Sequence, residues 1–101
     1  MTEAELERAV RHQLRLLRGV LGYHTYDSRR SPAGFPDWVI VGPGGIIFRE
    51  LKGEATRVSK QQLQWLAALA KVGQDAAVWR PTDLYSGRIA AELAQLTQAQ
   101  P

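Results

Sequence analysis

Apolar residues recur at helical spacing along the first twenty positions. Leu6, Val10, Leu14, Leu17 and Leu21 share one face at ~100° per residue. Ahead of them, Thr2-Glu3-Ala4-Glu5 has the order of a capping box. Thr2 is placed to cap, and Glu5 to reach back to the cap's own N–H. The pattern predicts a first helix that frays at Gly19 and Gly22. Gly22 to Tyr26 then reads as a short strand, and Asp27 to Phe35 as a loop broken by Ser, Pro and Gly. The β-branched and aromatic run Trp38 to Val41, the turn Gly42-Pro43-Gly44-Gly45 and the run Ile46 to Leu51 predict a hairpin. Four successive apolar residues in its first arm suggest burial on both faces. Ser59-Lys60-Gln61-Gln62 is a second capping box opening a helix, with Leu63, Leu66, Ala67 and Ala70 as its expected buried face and Gly73 as its stop. Ala76 to Trp79 predicts a further buried strand ended by Pro81, and Ile89, Leu93 and Leu96 a last helix before a frayed tail, Thr97 to Pro101.

The expected order is α-β-β-β-α-β-α, an α/β fold in which a mixed central sheet is flanked by helices. With 101 residues and no linker or repeat, the chain reads as one domain spanning residues 1–101. The absence of Cys excludes disulfide scaffolds, Cys-based zinc sites, Fe–S clusters and thiol nucleophiles. No apolar run approaches the ~20 residues of a membrane span. The acidic Met-Thr-Glu-Ala-Glu start lacks a basic-then-apolar leader, so a cytoplasmic protein is expected. Net charge is +3, and Arg outnumbers Lys ten to three. Arg's planar fork suits bidentate phosphate contacts, which favours a nucleic-acid partner. Arg8, Arg11, Arg15 and Arg18 form a stripe within roughly 80° beside the apolar face of the first helix. It is readable as solvated surface or as a phosphate-contacting ridge.

The chemistry concentrates in Pro36-Asp37 and, twelve residues on, Glu50-Leu51-Lys52. Strand alternation sends Glu50 and Lys52 to one side and Leu51 to the other. In the expected hairpin, Asp37 opens one arm and Glu50 lies near the end of its antiparallel neighbour, so both acids meet at one end of the sheet. Two carboxylates beside an ammonium form a hard-oxygen site for Mg²⁺ that leaves room for water and a phosphate oxygen. That equipment suits phosphodiester hydrolysis, with Lys52 orienting water or stabilising developing charge. The competing reading is a structural Glu50–Lys52 pair at a sheet edge, with Asp37 a turn residue after Pro36.

The order Gly34-Phe35-Pro36-Asp37, Glu50-Leu51-Lys52, Ser59 with Gln62 and Trp65, then Val78-Trp79-Arg80-Pro81 resembles the VRR-NUC branch of the PD-(D/E)XK nucleases. The likeness is greatest to the small stand-alone members of phages and prophages. The resemblance runs from about Thr2 to Leu96. It implies a restriction-endonuclease-like core and Mg²⁺- or Mn²⁺-dependent endonuclease activity. Relatives act on branched DNA such as four-way junctions and flaps, and stand-alone forms resemble Holliday junction resolvases in working as homodimers. On this resemblance Asp37 and Glu50 match metal ligands, the Leu51 carbonyl would be a further ligand, and Lys52 matches the catalytic lysine. The family also carries a glutamate on its first helix. Glu3 lies at the angular centre of the apolar face and is favoured, Glu7 sits at that face's edge, and Glu5 is explained by the cap. Gln62 is either the family's active-site glutamine or simply the second half of the Ser59 capping box, and the two roles are compatible.

Arg29 and Arg30, on the loop before Pro36-Asp37, would clamp phosphate. Arg80, after a buried strand, would contact DNA or form a sheet-end ion pair, and Arg11 belongs to the phosphate-facing stripe. Trp38, Trp65 and Trp79 read as packing, and His12 and His24 as surface or packing residues. The expected function is a metal-dependent DNA endonuclease selective for structure rather than sequence. The alternatives are a non-catalytic DNA-binding or assembly module and an RNA or single-strand nuclease using the same site.

Overall fold

The computed structural model describes residues 1–25 and 30–99. Its elements are α1 (Glu3–Arg15), β1 (Leu21–His24), β2 (Trp38–Gly42), β3 (Gly45–Leu51), α2 (Lys60–Lys71), β4 (Asp75–Trp79), α3 (Pro81–Tyr85) and α4 (Arg88–Leu96). Both capping boxes form: Thr2 and Glu5 exchange hydrogen bonds of 3.1 Å each way, and Ser59 and Gln62 do the same at 2.8 and 3.1 Å. Gly73, in the left-handed region at φ +86°, stops α2 as its position predicts.

The four strands lie in sequence order, β1-β2-β3-β4. β1 pairs antiparallel with β2, and β2 antiparallel with β3 in the register Trp38↔Arg49 to Gly42↔Gly45, which closes the hairpin on Pro43-Gly44. β3 and β4 are parallel, with Leu51 opposite Trp79. A parallel pair needs a crossover, and α2 supplies it. The result is the mixed sheet flanked by helices that the pattern predicts. One face carries the core, in which Trp38, Ile40, Ile47, Leu51 and Trp79 of the sheet bury against Leu6 and Val10 of α1 and Ile89, Leu93 and Leu96 of α4. Each such side chain contributes about 1.5–3 kcal/mol on leaving water. α2 covers the other face over β4. The hairpin turn rests on the end of α4: Gly44 N–H donates to the Leu96 carbonyl at 2.9 Å, and a Cβ at Gly44 would stand 2.1 Å from the Gln95 oxygen.

Several expectations shift. α1 ends at Arg15 instead of running towards Leu21. Leu16 caps it, the chain bends through Gly19 at φ +75°, and Leu17 and Val20 still pack on the core while Leu21 turns outward into β1. β2 is fully buried on one face only, because α2 does not reach across it. Trp38 and Ile40 are interior, and Val41 is exposed. β4 lies at the sheet edge and is mostly half-buried, with only Trp79 fully interior. α2 is rotated from its expected face. Gln62, Trp65, Leu66 and Leu69 are half-buried, whereas Leu63, Ala67 and Ala70 face solvent. A short α3 interrupts the segment after Pro81, where Asp83 accepts from the Arg80 N–H at 2.8 Å. The expected frayed tail begins after the α4 cap, Thr97, and its last two residues lie outside the described chain. Among the described residues no helix is long and apolar enough to cross a membrane.

Candidate active site

The β2–β3 register decides where the acids fall. With Trp38 opposite Arg49, Asp37 stands one step before β2 and faces Glu50 near the end of β3. Asp37 is held from two sides: its Oδ2 accepts the Leu51 N–H at 2.8 Å, and its carbonyl accepts the Thr25 N–H at 3.1 Å. Lys52 extends the parallel ladder by donating its N–H to the Trp79 carbonyl at 3.1 Å. Its Nζ lies 3.4 Å from Glu50 Oε2. Glu50 and Lys52 therefore project to the same side, as alternation requires.

Gln62 closes the capping box and reaches Glu50 with one amide. Its Oε1 accepts the Ser59 N–H, closing the capping box, and its Nε2 donates to Glu50 Oε2 at 2.9 Å. The rotation of α2 follows from this, since the face that carries Gln62 inward must turn Leu63 out. The loop before Asp37 is seated on the same helix. Phe35 meets Trp65 edge-on with ring centroids 5.1 Å apart. Gly34, at φ +102°, lies so close to Gln61 that a Cβ would stand 2.5 Å from the Gln61 backbone carbon. Only glycine fits both that torsion and that approach.

Glu50 is 2% exposed, and its Oε1 is buried with no hydrogen-bond partner. Burial first, and the Asp37 carboxylate second, push its pKa up to about 8 against the pull of Lys52. Two enclosed acids with one ammonium between them are short of positive charge. The donor set is hard oxygen, and a divalent cation would satisfy the orphaned atom, so these residues fit one. Among the described residues no group of three His, Asp or Glu side chains is already arranged around an ion position.

A cleft of about 350 Å³ opens beside Asp37 and Leu51. Glu3, Ala4 and Glu7 of α1 and His24 and Thr25 of β1 and its exit form the rest of its lining. Both helix-1 glutamates left open by the sequence reach this cleft. Glu3 is exposed there, while Glu7 pairs with Arg11 and lies 3.7 Å from His24 Nε2. Glu50, Lys52 and Gln62 do not line the cleft, and Asp37 joins the two groups. Thr25 went unread in the sequence, and His24, read there as a surface or packing residue, lines the cleft. The signal was the β1–β2 register, which sets His24 opposite Trp38 and so next to Asp37. The predicted arginines divide. Arg30 is exposed on the loop, and Arg29 lies outside the described residues. Arg11 stacks over Trp38 at 5.5 Å. Arg80 donates from Nη1 to the carbonyls of Gly53 and Thr56 at 2.8 and 2.9 Å.

The model of the VRR-NUC domain matches residues 2–83. The chain belongs to the VRR-NUC family. It is thus a member of a nuclease family, and Asp37, Glu50, Lys52 and Gln62 all lie within the matched span. A solved structure of a VRR_NUC domain protein shares the fold, with a TM-score of 0.71 at 19% identity over 99% of this chain and 98% of that one. No curated protein matches the chain. Within the VRR-NUC fold the acid pair sits at the end of the hairpin, where β2 begins and β3 finishes, and the two helices that reach it come from opposite faces of the sheet.

Proposed function

We propose that this VRR-NUC protein is a Mg²⁺- or Mn²⁺-dependent endonuclease that hydrolyses DNA phosphodiester bonds, selects branched structures such as four-way junctions or flaps, and acts as a homodimer. The observation that carries the reading is the unpartnered, buried oxygen of Glu50 facing Asp37 beside the Lys52 ammonium. A structural ion pair would satisfy its own atoms, and this pair leaves one acceptor bare. Asp37 and Glu50 would hold the cation, with the Leu51 carbonyl and Glu3 completing the set from the cleft side. When bound, the ion supplies positive charge against the negative charge that builds on the phosphoryl group.

The chain's own residues do the rest. Hydrolysis adds water across one P–O bond, and Lys52 orients that water or stabilises the charge that develops as the bond breaks. Gln62 fixes the rotamer of Glu50, so the carboxylate is set before substrate arrives. Arg30, exposed on the loop that leads into Asp37, and its sequence neighbour Arg29 would clamp a flanking phosphate. Arg80 can reach DNA only with guanidinium nitrogens other than Nη1, which the loop carbonyls already hold. Arginine contacts to phosphate position a duplex without reading its bases, so selection would come from DNA shape. A core this small does not enclose a duplex, and two copies cutting two strands is the economical arrangement.

A side-by-side cleavage panel of linear duplex, flap, four-way junction and single strand tests the reading, with Mg²⁺, with Mn²⁺ and with EDTA. The expected result is cutting of a branched substrate that EDTA stops. Asp37→Ala or Lys52→Ala should lower the rate by at least ~10³-fold while binding persists. Cutting that survives both substitutions sinks the site.

A further inference from the structure

The cleft-lining side of α1 does not end with the cleft. Glu3, Ala4 and Glu7 face it, and at 100° per residue Arg8, Arg11 and Arg15 all fall within about 40° of Ala4. The helix therefore presents one side that begins with Glu3 and Glu7 and turns basic from Arg8 onward. Arg8 and Arg15 are exposed. Arg11 is seated differently: it is ion-paired to Glu7 and lies over the buried Trp38 ring at 5.5 Å. That pairing and the stacking fix the middle of the row relative to the sheet.

We infer that Arg8, Arg11 and Arg15 form a track for the sugar–phosphate backbone of the nucleic acid on one side of the scissile bond, running from the cleft along α1. The inference rests on the nuclease reading above and adds to it the path of the substrate. Charge complementarity carries it. Phosphate at the reacting centre is met by acids that hold a cation, whereas flanking phosphates have no cation of their own and need fixed positive charge. The row has suitable length. Arg8 to Arg15 spans roughly 10 Å of helix, about the axial advance of three phosphates on one strand. Arg11, already oriented, loses less side-chain freedom on contact than a free surface arginine would.

Acids early and bases late also suit the helix dipole, and the experiment separates the two roles. Binding of a fluorescently labelled duplex and of a four-way junction is followed in EDTA by anisotropy, from 50 to 200 mM salt. The wild-type chain is compared with Arg8→Gln/Arg15→Gln and with Arg8→Lys/Arg15→Lys. The track predicts that the Gln pair lowers the log–log salt slope by about two units. Across that range it would lose roughly tenfold less affinity than the wild type. The Lys pair should keep the slope. An unchanged slope in the Gln pair, with or without a lower melting temperature, overturns the track and leaves the dipole as the reason for the row. If the wild type still cuts in Mg²⁺ when that happens, the nuclease reading stands without the track. A wild type that binds neither DNA overturns both.

Discussion

Glu50 is the residue at which stability and the proposed chemistry oppose each other. Its carboxyl is buried, faces Asp37, and has its pKa pushed up to about 8 from 4.5. The folded chain thus holds a proton that the unfolded chain has released above pH 4.5. Linkage then gives a definite sign: the group's contribution is fully present below pH 4.5 and is lost as pH rises through about 8. A neutral amide carries the same shape without the charge. In metal-free protein, Glu50→Gln should raise the melting temperature at pH 8.5 and change it little near pH 5. Thermal denaturation of both proteins at the two pH values checks this. A gap that does not widen with pH would mean that Glu50 ionises as it would in water. Divalent cation should act in the opposite sense on the wild type, stabilising it more as pH rises, because the ligand must lose its proton to bind. The bare Oε1 and the raised pKa share one cause: a buried carboxyl faces a second acid with a single ammonium, Lys52, to offset the pair.

Among the elements, α2 shows how far the sequence could be read and where it failed. Its start was legible, because a capping box is a local exchange between residues three apart. Its stop was legible from Gly73. Its inward face was not, since periodicity alone favoured Leu63, Leu66, Ala67 and Ala70. A small apolar residue exposed on a helix costs little, whereas the hydrogen bond from Gln62 to buried Glu50 and the packing of Trp65 on Phe35 fix the phase. The hairpin that brings Asp37 to Glu50 was readable for the opposite reason: the Gly42↔Gly45 closure sets its register, and alternation then does the rest. The contribution of β1 to the cleft needed that strand's pairing, which a four-residue segment does not announce. α2 and the loop bearing Asp37 touch at Gly34. There Gly34→Ala would force a Cβ onto the Gln61 backbone at an unfavourable torsion. The expected cost is about 1–3 kcal/mol, read by urea denaturation, with cleavage falling further than stability because Asp37 and Gln62 move apart. A variant as active and stable as the wild type would show that the loop position is not coupled to α2.

Across the whole molecule, the two faces of β3 near its end are built to different standards. Arg49 follows Phe48 and precedes Glu50, yet it points to the other face and is 1% exposed. Every arm of its guanidinium is used. Nε and Nη2 donate to Glu92 Oε1 at 3.1 and 2.9 Å, Nη2 also to Asp75 Oδ1, and Nη1 to the Phe48 and Asp75 carbonyls. Glu92 further accepts from Trp79 Nε1 at 2.8 Å and from Arg88 Nε at 2.7 Å. Burial pushes the Glu92 pKa up, but the hydrogen bonds from Arg88, Trp79 and Arg49 outweigh it and hold the group below its usual value. Its contribution to stability is therefore present above the ordinary glutamate pKa and lost in acid, the reverse of Glu50. This network ties α4 to β3 and β4 on the face opposite the Glu50 carboxylate. Glu92→Ala leaves buried Arg49 and the Trp79 N–H short of an acceptor, which should cost about 3 kcal/mol or more, roughly 12 °C or more in melting temperature for a domain of this size. Removing charge from both sides, with Arg49→Met and Glu92→Leu together, should recover a large part of that loss, because what is costly is an unpaired buried ion and not the absence of the pair. Denaturant titration of the single and double variants decides it. A single variant that loses less than about 1 kcal/mol would mean that water reaches Arg49. Deleting a carboxylate should therefore stabilise the chain at the acid pair at high pH and destabilise it at α4, although the two sites lie on opposite faces of the same stretch of β3.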